Sequence, residues 1–191
     1  MDLIHRAACA AVCLIVAACG GSVAATGIPS APLRSGSGPA VDAQQLATRA
    51  RLTVWVFFSR DCHCLTQHDA RLRELYEAYH PRGVEIVMVD PEVKSSPAID
   101  AAEAARRGYP FPIYFDRGGR LARALDAQYA TYTVIVDERG QVQYRGGFDS
   151  DKTHLRADAT PYVRNALDDL LAGRPPRLAE TKTLGCALQE W

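Results

Sequence analysis

The sequence predicts an α/β domain in three layers, and three observations carry that expectation. From about Ala47 to Gly173, strand-like segments alternate with helix-like ones. The first strand pattern, residues 52–59, is a near-continuous apolar run, as expected where both faces of a sheet are covered. A β-hairpin comes late, residues 133–136 and 141–144 around Asp137-Glu138-Arg139-Gly140, before one last helix.

Each element follows from local chemistry. After the first strand, Leu65, Leu72, Leu75, Tyr76 and Tyr79 recur at helical spacing until His80-Pro81-Arg82-Gly83 stops the helix. Val84-Glu85-Ile86-Val87-Met88-Val89 reads as a second strand. Ser96-Pro97 can open a helix with proline at its first position, running to Arg107 before Gly108. Residues 111–115 read as a third strand, and residues 121–125 as a short helix. Thr160-Pro161 starts the last helix, whose Val163, Ala166, Leu167, Leu170 and Leu171 share one face.

The 191 residues are 48% hydrophobic with zero formal net charge, which allows one ordinary domain with extensions and argues against nucleic acid as a partner. Residues 1–18 read as an export signal, Arg6 preceding an apolar run and small residues. Val16-Ala17-Ala18-Cys19-Gly20 looks like a bacterial lipobox, which implies cleavage before Cys19 and a lipid anchor in the membrane of the cell envelope. Gly20, in place of an Asp, tilts the expectation toward the outer membrane. Residues 19–44, rich in Gly, Ser, Ala and Pro, are expected to be a flexible tether, with residues 45–191 the domain and its cysteine-bearing tail. Cys9 and Cys13 would leave with the signal. Cys62, Cys64 and Cys186 would remain in a disulfide-permissive compartment, and three thiols cannot all pair.

The chemistry concentrates at Val54-Trp55-Val56-Phe57-Phe58-Ser59-Arg60-Asp61-Cys62-His63-Cys64, where a strand delivers a cysteine to a helix start. Unpaired N–H groups and the helix dipole stabilise a thiolate there, and the thiolate is the nucleophile toward disulfides. Asp61 opposes that activation, and a protonated His63 would favour it. In a regular helix Cys62 and Cys64 diverge by roughly 200°, so a bond between them requires a non-helical turn and should be strained.

The order of these pieces resembles the thioredoxin fold, within it the redoxin group related to alkyl hydroperoxide reductase and thiol-specific antioxidant proteins. Phe57-Phe58-Ser59-Arg60-Asp61-Cys62, Arg71-Leu72-Arg73-Glu74-Leu75, Val134-Ile135-Val136-Asp137-Glu138-Arg139-Gly140 and Tyr144-Arg145-Gly146-Gly147-Phe148-Asp149 carry the resemblance. Thr181-Lys182-Thr183-Leu184-Gly185-Cys186 is similar to a Gly-Cys segment ending many such chains. The resemblance implies a central mixed sheet flanked by helices and thiol–disulfide exchange on protein thiols or a small oxidant. It implies no cofactor, with Cys62 as nucleophile and Cys64 or Cys186 as resolving thiol. Leu65 stands where the second thioredoxin thiol would be. Tyr132, after Thr131 in the substrate loop, stands where the fold usually has a cis-proline; a trans bond is expected there. Trp55 replaces the proline of the peroxiredoxin pattern, so peroxide reduction is the lesser expectation.

Two rival readings remain. Cys62 and Cys64 could carry Cu(I), or the chain could be a degenerate redoxin that only binds a partner. His68 is expected to be a solvated helix residue, and no metal ligand is assigned.

Overall fold

The computed structural model describes residues 27–189; the signal-like stretch and Cys19 lie outside them. A small antiparallel pair, β1 (Pro32–Leu33) and β2 (Val41–Asp42), leads into α1 (Ala43–Ala47). The sheet is built from β3 (Leu52–Phe57), β4 (Val84–Asp90), β5 (Ile113–Phe115), β6 (Thr133–Asp137) and β7 (Val142–Gly146), in the order β5-β4-β3-β6-β7. β3 runs parallel to β4 and antiparallel to β6, so the sheet is mixed. Between the strands lie α2 (His63–Tyr79), α3 (Pro97–Arg106) and α4 (Arg120–Ala124), and α5 (Tyr162–Leu171) follows β7. The expected three-layer α/β architecture is present.

Period-two alternation along β3 builds the layers. Val54, Val56 and Phe58 pack with Leu65, Leu72 and Leu75 of α2 and Val163 and Leu167 of α5. Trp55 and Phe57 point the other way, against Leu46 of α1 and Leu121 of α4. All six residues of β3 are buried, which is why its sequence is apolar but for Thr53, whose hydroxyl donates to Ala47 O at 3.2 Å.

The expected tether requires correction from Gly27 onward. Ile28, Ala31, Leu33 and Ala43 are buried against the second face of the sheet, and the Ile28 N–H donates to Gly140 O at 2.9 Å. Glycine, proline and serine supply turns here, and the few large apolar side chains between them supply the burial. Among the described residues no helix is long and apolar enough to cross a membrane.

α2 closes with His80-Pro81 and a left-handed Gly83, φ 82°. Ser96 caps α3 by accepting from the Ile99 N–H at 3.3 Å, with Pro97 at the first helical position. The end of α3 is fixed by a buried cation that periodicity does not reveal. Arg107 reaches Glu103 Oε1 at 2.7 Å, Asp69 Oδ1 at 3.1 Å and the Arg60 carbonyl at 2.8 Å. It thereby ties α3 to α2 and to the loop before Cys62. The hydrogen bond from Arg106 outweighs burial and, with Arg107, holds the Glu103 carboxyl down to about 2. That contribution is full above the ordinary value near 4.5 and is lost as pH falls toward 2. Glu103→Gln should cost about 3 kcal/mol at neutral pH, because the Arg107 guanidinium stays buried. It should also flatten the loss of stability below pH 5; denaturant unfolding at pH 7 and pH 3 measures both.

Candidate functional site

The strand does not run directly into the helix. The Phe58 N–H still donates to Val89 O at 2.7 Å, and then the Cys62 N–H turns back to Ser59 O at 3.2 Å. Cys62 is the N-cap of α2 with extended backbone, φ −78° and ψ 108°, and its Sγ accepts from the Leu65 N–H at 3.4 Å. Because Cys62 stands outside the helix, the angular divergence expected for a regular helix does not apply. Its sulfur lies within 4.8 Å of both the Cys64 and Cys186 sulfurs, the latter two 3.6 Å apart. The three candidate thiols form one cluster, and all three are free.

The third thiol arrives on the tail. After α5 the chain runs back along β7, with Thr181 N–H donating to Arg145 O and Arg145 N–H donating to Ala179 O. It then crosses the end of the sheet beside the loop before β6. Ala130 N–H donates to Cys186 O at 2.9 Å, Leu188 N–H to Gln128 O at 2.9 Å, and Thr131 Oγ1 to Leu184 O at 3.3 Å. Gly185 is required at this crossing: a Cβ there would lie 1.9 Å from Ala130 O.

Thr131 and Tyr132, expected to form a substrate loop, lie just before β6 and are strapped to β3 through Thr131 N–H to Phe57 O and Phe57 N–H to Tyr132 O. No described peptide bond is cis, and Thr131 takes the left-handed region at φ 75°. The edge of this loop faces the protein's own tail.

Electrostatics divide the thiols. Burial, then the hydrogen bond to Cys186, pushes the Cys62 thiol up to about 12, against the Leu65 N–H. Burial also raises Cys64. For Cys186, burial is outweighed by hydrogen bonds from the Cys62 thiol, the Cys64 N–H and the His63 N–H, and its pKa falls below the ordinary value. The helix start therefore activates the tail thiol more than the thiol that caps it. Asp61, whose side chain is 85% exposed, remains in water. A pocket of about 250 Å³ opens over Cys62 and Cys186, with Ser59, Arg60 and Lys94 on its walls; Cys64 does not line it. Asp90 closes the pocket from behind, and burial with the Asp90 charge lifts its neighbour Asp100 to about 8.

His68 is not solvated, contrary to expectation. It is buried on α2 with Nδ1 2.8 Å from Cys64 O and Nε2 3.1 Å from Asp149 Oδ1. A carbonyl and a carboxylate only accept, so both ring nitrogens donate and the ring is an imidazolium. Burial disfavours that charge, but Asp149 and the Cys64 carbonyl outweigh it and raise the pKa above 6.5. Arg71 holds the same Asp149 at 2.5 Å and Asp151 at 3.0 Å. The signal was present in the sequence: 65, 68, 72, 75 and 79 form one helical stripe that includes His68. Asp149→Ala should cost about 3 kcal/mol in urea unfolding and bring the His68 pKa, followed by NMR, below 6.5.

A family model described as Redoxin matches residues 24–161. The chain belongs to the redoxin family. The match ends before the tail, so Cys186 lies beyond the part that defines the family. An uncharacterized conserved protein from Geobacillus kaustophilus is 27% identical with a TM-score of 0.76, covering 86% of this chain and 90% of its own. A hypothetical protein from Sinorhizobium meliloti is 20% identical with a TM-score of 0.77, covering 87% and 93%. A candidate DsbE thiol:disulfide interchange protein from Chlorobium tepidum is 18% identical with a TM-score of 0.56, covering 77% and 94%. A comparison with curated proteins finds none that matches. The fold is thioredoxin-like, as the sequence pattern implied.

Proposed function

We propose that this redoxin is a thiol–disulfide oxidoreductase in which Cys62 and Cys186 form the working couple. The observation that carries this reading is their shared pocket: Cys62 and Cys186 both line it, and Cys64 does not. The direction in which the couple reduces a substrate is written as follows. Cys62 attacks one sulfur of an incoming disulfide while its proton passes to the hydrogen-bonded Cys186, which starts as the thiolate. The substrate's S–S bond breaks, a mixed disulfide forms on Cys62, and the first substrate thiolate leaves. That thiolate takes the proton from Cys186, which attacks Cys62 Sγ and releases the second substrate thiolate. The protein is left with a Cys62–Cys186 disulfide, two electrons having passed to the substrate. Protein disulfides or small disulfides suit the open pocket, and the candidate DsbE relative among similar folds is consistent with that class.

Mass mapping of the chain after mild oxidation and re-reduction tests the reading. A reversible Cys62–Cys186 disulfide is expected; if Cys62 pairs reversibly with neither Cys186 nor Cys64, the reading fails. Export as a lipoprotein belongs to the same proposal, motivated by residues 1–18 and the lipobox-like sequence ending at Cys19-Gly20. On expression in a bacterium, Cys19→Ser should move the protein from the membrane fraction to the soluble envelope fraction. Unchanged membrane retention would remove the anchor from the reading.

A further inference from the structure

We propose that the reduced cluster of Cys62, Cys64 and Cys186 is a binding site for a single Cu(I) ion, held by three sulfurs. All three sulfurs lie within 4.8 Å of one another, and the pair joining tail to helix is 3.6 Å apart. Equal metal–sulfur bonds of about 2.3 Å in a trigonal arrangement place sulfurs about 4.0 Å apart. The cluster therefore needs to move by less than about 1 Å to close on a metal, whereas a disulfide needs an approach to about 2.05 Å.

The donor set selects the ion. Three thiolates are soft ligands that favour Cu(I), and Cu(I) accepts three-coordination. A closed Zn(II) site wants four ligands, and no fourth His, Cys, Asp or Glu joins this group among the described residues. The ligands are also held from outside. The Cys62 sulfur accepts from the Leu65 N–H, His68 fixes the Cys64 carbonyl, and the Ala130 N–H fixes the Cys186 carbonyl. Tail docking is what distinguishes this site from a two-thiol Cys62–Cys64 carrier: Cys186, 122 positions beyond Cys64, completes it. Copper and the disulfide use the same sulfurs, so the reduced chain holds the ion and the oxidised chain releases it.

The test uses the chain with Cys9→Ser, Cys13→Ser and Cys19→Ser, so that only the three cluster thiols remain. The reduced protein is titrated anaerobically with Cu(I) against bathocuproine disulfonate, and X-ray absorption counts the sulfurs. One Cu(I) per chain bound by three sulfurs is expected. Cys186→Ser should reduce the count to two and weaken binding at least tenfold. Loss of all copper to the chelator, retention of Zn(II) in preference to Cu(I), or unchanged affinity and sulfur count in Cys186→Ser would each overturn the proposal. Circular dichroism of each variant verifies that it is folded. Disulfide mapping on the same samples reports the exchange reaction separately, because a chain can exchange disulfides without holding copper and the reverse.

Discussion

Cys62→Ser is expected to lower turnover in a disulfide-reductase assay by about 10³-fold or more, the scale on which loss of an attacking nucleophile is felt. The loss should be chemical and not structural. Serine is a better N-cap than cysteine, and its Oγ can accept the Leu65 N–H that Cys62 Sγ accepts now. The thermal midpoint should therefore stay within a few degrees of the parent. Cys186→Ser should differ in kind: Cys62 can still attack, but its resolving partner is gone, and a mixed disulfide accumulates that mass spectrometry locates on Cys62. Cys64→Ser should have the mildest effect, because Cys64 does not line the pocket. If Cys62→Ser keeps a tenth of the parent's activity, Cys62 is not the attacking sulfur.

Gly185→Ala is expected to detach the tail from the thiol cluster. The new Cβ would lie 1.9 Å from the Ala130 carbonyl oxygen and 3.1 Å from its carbon, backbone atoms that cannot swing aside. The tail must move, and the bond from Ala130 N–H to Cys186 O goes with it. Two results follow. Alkylation of Cys62 should speed up by about tenfold or more, since burial and Cys186 are what suppress its thiolate. The Cys62–Cys186 disulfide should form in much lower yield. Gly173→Ala is the control: its φ of 74° makes it mildly strained, by about 1 kcal/mol, but its Cβ meets nothing within 4 Å. An unchanged Cys62 alkylation rate in Gly185→Ala would mean that the tail does not cover the thiol.

The strand–helix order, the hairpin, the caps of α3 and the delivery of Cys62 to the start of α2 are all legible in the chain. These rest on periodicity and turn chemistry, which act over a few residues and are written locally. The sequence also nominates Cys186, through a resemblance in the tail. Other features depended on contacts between distant segments. Residues 27–44 carry the composition of a tether because glycine, proline, serine and alanine dominate it, while Ile28, Leu33 and Ala43 gain their burial only from the far face of the sheet. His68 looked solvated because polarity was read without its partner, Asp149, 81 positions away. Which thiol the helix start favours depends on the folded tail. Cys62 spends its own sulfur capping the helix and is then buried, and the remaining first-turn N–H groups are left to a sulfur that the folded tail brings in. An N–H group acts on whichever atom packs beside it, and spacing along the chain does not say which atom that is.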